Sequence, residues 1–471
     1  VESEGINMEN WNLLLSGDSY KVSHARCYDK GITKIYSYLE ARGGEFPATL
    51  FFGLQYYLEK YLGGKQVTKE KIDEAEKFWT EHFGRSDCFD RSKWEYILHE
   101  YDGYLPLTIE AVPEGTLVPV LNALMTIVNN DPKCFWLTNF VETLLMKVWY
   151  PTTVATQSFY IRQKVMNALE KSGDVAGISF KVHDFSYRGV ASEEQAGIGA
   201  AAHLISFMGT DTVAGILMLK KYYQSGMAGY SIPATEHSIM CSFGRKEEVE
   251  ACENFLDTYP TGLIACVSDT YDIYNCCERI WGGVLKEKVL KRDGCLVIRP
   301  DSGNPLEVVP KVLQILWDRF GGITNGKGYK VLDPHVRVIQ GDGMDFDSIG
   351  KLYEHIISLG WSADNLAVGS GGGLLQKLNR DTCKFAIKCS AALKNNVWMD
   401  VYKEPITDHG KRSKSGRFQT VRFESGKIET RDFSFTGVRG HNILQPVFEN
   451  GKILKTYSLE QIKNNAFGDG F

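Results

Sequence analysis

The chain lacks any run of about eighteen apolar residues, so no membrane-spanning helix is expected. It lacks an excess of positive charge. The net charge of -5 gives no general attraction to nucleic acid, and a small anionic ligand would need a local cationic cluster. It lacks a CxxC pair. Eleven scattered cysteines, an odd number, argue against a disulfide scaffold and for free thiols in a reducing, cytoplasmic compartment. It lacks the H-E-x-x-H spacing of a zinc site, the Walker A loop and the G-x-G-x-x-G fingerprint. The N-terminus is acidic and polar, with no signal-peptide pattern. Val1 is not an ordinary translation start. Met8 is expected as the native one, with Val1 to Asn7 an added or processed stretch.

What is present is an ordinary globular composition, 43% hydrophobic and 24% charged. A length of 471 residues suits roughly three domain units, or one barrel with an extra domain. The chain is organised around Lys181 to Asp211. An alternating run of Ile178, Phe180 and Val182 predicts a strand. The loop His183-Asp184-Phe185-Ser186-Tyr187-Arg188-Gly189 follows, then a helix from about Ser192 to Ser206, then the turn Gly209-Thr210-Asp211. An aromatic plate, a cation and an acid at the end of a strand suit a planar, polar, phosphate-bearing ligand.

From about 150 to 390 the theme repeats. Strands are predicted at 178–182, 228–232, 263–267, 295–299, 335–339 and 365–369, mostly separated by helices. Nearly every one ends in a polar or glycine loop, which favours a barrel over a doubly wound sheet. Residues 1–149 are predicted to pair with 391–471 as a second, discontinuous domain. In the first part, Leu54 to Tyr61, Thr68 to His82 and Lys93 to Glu100 read as helices, with Thr68 as an N-cap. The apolar stretch Phe135 to Trp149 reads as one long helix, and Thr152 to Ser172 as another behind Pro151.

Each candidate site residue has a bland reading beside its functional one. Gly369 to Gly373 is a tight turn or an anion cradle, and Arg380 a solvated arginine about two turns into the following helix. Arg299 with Asp301 is a structural pair or a ligand clamp. Asp342, between Gly341 and Gly343, suggests close ligand approach. Ser268-Asp269-Thr270-Tyr271-Asp272 puts two carboxylates three apart at a strand end. These could organise Mg²⁺ on pyrophosphate oxygens. His237 is usually just a hydrogen-bonded residue, its ring set by Glu236 or another carboxylate. Tyr20 reads as a half-buried aromatic and Arg42 as a loop arginine. Lys388, Lys403, Lys411, Arg412, Lys414 and Arg417 make the late chain locally basic.

HDFSYRG, GTDTVAG, GYSIPATEHS, SDTYDIY, IRPDSGNP, VIQGDG and GSGGGLLQKLNRD occur in one order and spacing. In that order they resemble the nicotinamide phosphoribosyltransferases, of the type II phosphoribosyltransferase family, from about Met8 to the C-terminal region. The resemblance implies an α/β fold, an irregular, incomplete (β/α) barrel with a second discontinuous α+β domain. It implies transfer of phosphoribosyl from phosphoribosyl pyrophosphate to nicotinamide, giving nicotinamide mononucleotide and pyrophosphate. Phe185 and Tyr20 would sandwich the pyridine ring, and Asp211 would accept from its carboxamide. Arg299 would contact the nicotinamide end, and Ser231 and Ser268 would be substrate-binding. Arg188, Arg42 and Mg²⁺ on Asp272 and Asp301 would hold pyrophosphate, leaving Asp269 structural. Asp301 would also contact the ribose hydroxyls, and Gly341 and Asp342 would be substrate-binding. Gly371, Gly372 and Arg380 would hold the 5'-phosphate. Lys388, Lys403 and Lys411 would serve the phosphate and ATP ends. His237 would be phosphorylated by ATP, the co-substrate. The implied active unit is a homodimer with shared sites.

Three alternatives stand beside this. A nicotinate phosphoribosyltransferase would bind a carboxylate, which an acid at position 211 would repel. A quinolinate enzyme would need more cationic loops. An extracellular signalling protein would be free to lose Arg299, Asp301 and Asp342, all of which are present.

Overall fold

The computed structural model describes residues 11–407, 413–437 and 439–468. The expected start at Met8, and Lys411 and Arg412, lie outside the described residues. The chain divides into two compact units. One comprises residues 1–156, 222–224 and 380–471, the other 157–221 and 225–379.

The second unit is built on six parallel strands. Their order is Gly209–Thr210, Val182–Asp184, Leu366–Ser370, Val336–Gln340, Asp293–Arg299 and Thr261–Val267. Two single bridges, Gly209 to Tyr230 and Ala234 to Ala265, carry the segment 230–234 from one edge strand to the other. The barrel is therefore closed only irregularly. The strand expected at 228–232 is this bridging segment. Pro233 lacks an N–H, so no continuous ladder can run through it. The expected strand at 178–182 starts late: Val175–Phe180 is a tight 3-10 turn capped by Asp174, and the strand begins at Val182.

Apolar residues cover both faces of this sheet, as a parallel sheet requires. Outside it, Val182, Ile264, Leu296, Val338 and Val368 join the large core shared with the surrounding helices. Inside, Ala265, Val297 and Ile339 form a small cluster, with Phe185 and Ile232 packed against it.

The first unit carries a seven-stranded antiparallel sheet. Its order is Val397–Asp400, Phe385–Lys394, Ile32–Ala41, Ala123–Asn129, Leu107–Ala111, Gln445–Glu449 and Lys452–Ile453. Three early strands lie at its centre with two late strands on either side, so this unit is discontinuous. Phe385–Lys394 pairs with Ile32–Ala41, so the boundary expected near 390 falls at 379/380. The helix Lys69–Phe83 is capped as predicted, Thr68 accepting from the Lys71 amide. The helix expected over Phe135 to Trp149 is instead a series of short turns. There Trp136 and Phe140 pack edge-on against Trp94, at 4.7 and 5.0 Å between ring centroids. Ring packing sets the backbone path in that stretch. The long helix runs from Trp149 to Ser172 with Pro151 in its first turn, where a missing N–H costs nothing.

Candidate active site

Every strand of the parallel sheet points its carboxyl end at one rim, and the loops there enclose a cavity of about 900 Å³. Phe185, Arg188, Asp211, His237, Arg299, Asp301, Gly341, Asp342 and Gly371 line it, with Tyr187, Glu193, Glu236 and Ser238.

Phe185 forms one wall. Gly369 makes room for it, since a Cβ there would stand 2.0 Å from the ring. Part of the glycine run is therefore explained by packing. A Cβ on Gly341 would stand 3.3 Å from Asp301 Oδ1, 3.5 Å from the Phe185 ring and 3.8 Å from Arg299 Cδ. Those three groups thus surround a backbone that a ligand can approach closely.

Asp211 is held from two sides. His183 Nε2 donates to Oδ1 at 2.9 Å, and the Ser231 hydroxyl donates to the same oxygen. Oδ2 takes no hydrogen bond among the described residues. Burial pushes the carboxyl up, but His183, Ser231 and the charge of Arg299 together hold it below the usual aspartate range. Asp211 is thus a fixed anion with one acceptor atom free. Arg299 donates through Nη2 to the Thr235 carbonyl at 3.2 Å, while its buried Nε has no partner among the described residues. A buried guanidinium donor left unpaired is costly unless a ligand completes it.

His237 Nε2 donates to Asp269 Oδ1 at 3.0 Å. Asp269 is 4% exposed, and its other oxygen accepts from the Asp301 amide at 3.1 Å and from the Ser302 hydroxyl. Glu236 instead accepts from Ser238. Asp269 therefore orients His237 and ties its loop to the Asp301 loop. Sequence reasoning took it as structural; the one signal was the pair of carboxylates three apart. His183, Tyr187 and Glu193 also went unassigned, although two of them lie within HDFSYRG.

Asp272 stands apart from the cavity lining. Its Oδ1 caps the turn that follows, accepting from the Tyr274 and Asn275 amides. Ser268 is buried, donating to the Cys266 carbonyl and accepting from Trp281 Nε1. The described residues hold no group of three or more His, Cys, Asp or Glu suited to a metal ion.

The remaining candidates lie in the first unit, around a separate cavity of about 850 Å³ lined by Tyr20, Lys21, Arg42, Glu142, Arg380, Lys388 and Lys403. Tyr20 is 58% exposed, with the His24 ring packed edge-on against it at 5.0 Å. Arg42 Nε pairs at 3.2 Å with Glu40, which is itself buried and also holds Lys414 at 2.5 Å. Burial, then the charges of Lys403, Arg42 and Arg380, hold Lys388 below the usual lysine range against the pull of Glu142. Cations converging on a partly buried lysine favour an anion. Arg380 does not sit two turns into a helix: the helix after the glycines ends at Leu375, and Arg380 opens a 3-10 turn. Arg417 stacks on Trp398 and Phe433, each at 4.6 Å, a structural use.

Comparison with known proteins follows the same lines. The sequence model of the nicotinate phosphoribosyltransferase family matches residues 180–442, and that of the nicotinamide phosphoribosyltransferase N-terminal domain matches 12–109. The chain belongs to the nicotinate phosphoribosyltransferase family. It is 45% identical over 464 residues to a nicotinamide phosphoribosyltransferase of Xanthomonas campestris, covering 97% of this chain and 98% of that one. A protein of the same description from Acinetobacter baylyi is 31% identical, with 96% of each chain covered. Among solved structures, a nicotinate-nucleotide pyrophosphorylase from Pyrococcus furiosus superposes with a TM-score of 0.61 at 15% identity, covering 96% of this chain and 93% of that one. The human nicotinic acid phosphoribosyltransferase gives 0.55 at 14% identity, with the same coverage. The likeness to these two structures concerns the fold.

Proposed function

We propose that the chain transfers the phosphoribosyl group of phosphoribosyl pyrophosphate to the ring nitrogen of nicotinamide, releasing pyrophosphate. The observation that carries this reading is Asp211. Its Oδ1 is taken by His183 and Ser231, and Oδ2 remains an anionic acceptor at a cavity walled by Phe185. A carboxamide NH₂ satisfies that atom, and the carboxylate of nicotinate would be repelled by it. An oxocarbenium-like transition state needs the ring held, the leaving group neutralised and the 5'-phosphate fixed, with no strong base. Phe185 stacks the ring, Arg299 offers its unpaired Nε, Arg188 faces pyrophosphate and Gly371 with Gly372 the 5'-phosphate. Incubation with phosphoribosyl pyrophosphate and each pyridine base, with product identified by mass, tests this. Nicotinamide mononucleotide is the expected product.

The finer parts belong to the same proposal. Mg²⁺ commonly takes one or two carboxylates plus substrate phosphates. Asp301, whose carboxylate has no hydrogen-bond partner among the described residues, suits that role. Asp272 would offer only Oδ2, since Oδ1 is a cap. When bound, the ion would supply charge neutralisation at the pyrophosphate. His237, with Nε2–H given to Asp269, presents Nδ1 as a nucleophile for the γ-phosphoryl group of ATP. A homodimer is proposed in which Tyr20 and Arg42 of one chain serve the site of the other. All eleven cysteines are free, and no described helix is long and apolar enough to cross a membrane; both suit a cytoplasmic enzyme.

A further inference from the structure

The geometry points to Ser186 as a positioning residue that aims the glycine loop at the 5'-phosphate of the ribose, an inference that rests on reading Gly371 and Gly372 as the phosphate cradle. Ser186 is 1% exposed and lies on the far side of that loop from solvent. Its hydroxyl donates to the Gly371 carbonyl at 2.8 Å and to the Ser370 carbonyl at 3.3 Å. Each carbonyl also takes a backbone donor: Phe185 N–H on Ser370 at 2.9 Å, Leu374 N–H on Gly371 at 3.0 Å. The one hydroxyl proton is shared, chiefly with Gly371, so the Gly371 plane is pinned by two donors and the Ser370 plane by the Phe185 amide with a weaker share of the hydroxyl.

In a trans peptide the C=O and N–H point in opposite directions. Pinning the Ser370 carbonyl inward turns the Gly371 N–H away from Ser186, and pinning the Gly371 carbonyl does the same for the Gly372 N–H. Neither amide donates to any group among the described residues. Two adjacent amides turned the same way make a concavity for an anion. Ser186 is itself fixed. Its N–H donates at 2.8 Å to Asp184, a fully buried carboxylate that also accepts from Thr210. Gln376 closes the other side, donating to the Ser186 carbonyl at 3.5 Å. A plain turn needs none of this, since one backbone bond from Leu374 already closes it.

The test compares two ligands that differ only in the phosphate: nicotinamide mononucleotide and its riboside. Dissociation constants of both are measured for the wild type, Ser186→Ala and Ser186→Thr. The wild type should prefer the mononucleotide by roughly tenfold or more, as charge-assisted bonds to a phosphate require. Ser186→Ala should cut that preference about fivefold, and Ser186→Thr, which keeps the hydroxyl, should restore most of it. General destabilisation would weaken both ligands alike and leave the ratio unchanged. An unchanged ratio in Ser186→Ala overturns the role of Ser186 while leaving the cradle in place. A wild type with no preference overturns the cradle itself and the inference with it. Should Ser186→Ala not fold, Ser186→Cys, with a weaker donor of similar size, is read against the same outcomes.

Discussion

The imidazole of His237 and the carboxylate of Asp269 stand 3.0 Å apart, although 32 residues separate them in sequence. The contact exists because Ala234 bridges to Ala265, laying the His237 loop beside the end of the strand Thr261–Val267. Asp269 is nearly buried and His237 is not, so the pair has one fixed member and one exposed member. That division suits a nucleophile with an oriented ring.

Removing either partner should therefore separate ATP chemistry from phosphoribosyl transfer. His237→Ala should abolish acid-labile labelling from γ-labelled ATP, while slow transfer persists at high substrate. Asp269→Asn keeps the shape but loses the charged acceptor, and should slow labelling by on the order of 10². Equal labelling in His237→Ala would place the acceptor on another residue.

Asp211→Asn should narrow the preference for nicotinamide over nicotinate, because an asparagine amide can donate to a carboxylate. The ratio of kcat/KM for the two bases reads this directly. His183→Ala should move the ratio in the same direction by a smaller amount, since Asp211 then loses one of its two donors. A ratio unmoved by Asp211→Asn would remove that residue from base recognition.

Glu114 gives a prediction about stability. Burial pushes its carboxyl up from 4.5 to about 7, against the pull of the Gln55 and Gly53 amides. Between those values the folded chain keeps a proton that the unfolded chain has released. The stability that Glu114 contributes is fully present below pH 4.5 and is lost as pH rises to about 7, by about 3 kcal/mol at full effect. Glu114→Gln cannot titrate, so its stability relative to wild type should rise between pH 5 and pH 8. Denaturant midpoints of both proteins at the two pH values measure this. A constant difference between them would contradict the raised carboxyl.

The proposed sharing of sites between two chains makes a prediction about mixing. Tyr20→Ala and Asp301→Ala homodimers should each be nearly inactive. In verified heterodimers one site receives both intact residues, so full statistical mixing should restore about one quarter of wild-type sites. Heterodimers confirmed by two affinity tags yet without activity would exclude this exchange.

Much of the barrel was legible because buried parallel strands read as short apolar runs, and each ran into a polar loop. Segment 228–232 was over-read as a strand: its apolar residues are real, but Pro233 limits it to bridging. The residues up to 390 were expected with the barrel, because the stretch beyond its last predicted strand carries no sign that Phe385–Lys394 pairs with Ile32–Ala41. The cavity residues that came together all follow strand ends. Asp269 and Asp272 were told apart only through the family resemblance, since both are acids at one strand end. Only the fold shows that one orients a histidine while the other caps a turn. Ser186 was equally silent, as its partners lie some 185 residues away.

The most direct test of the central claim is a competition. Phosphoribosyl pyrophosphate is offered to the enzyme with nicotinamide and nicotinate at equal concentration, and the two mononucleotides are separated by mass. The account predicts nicotinamide mononucleotide in large excess, with the excess reduced in Asp211→Asn. Nicotinate mononucleotide as the main product of the wild type would contradict it.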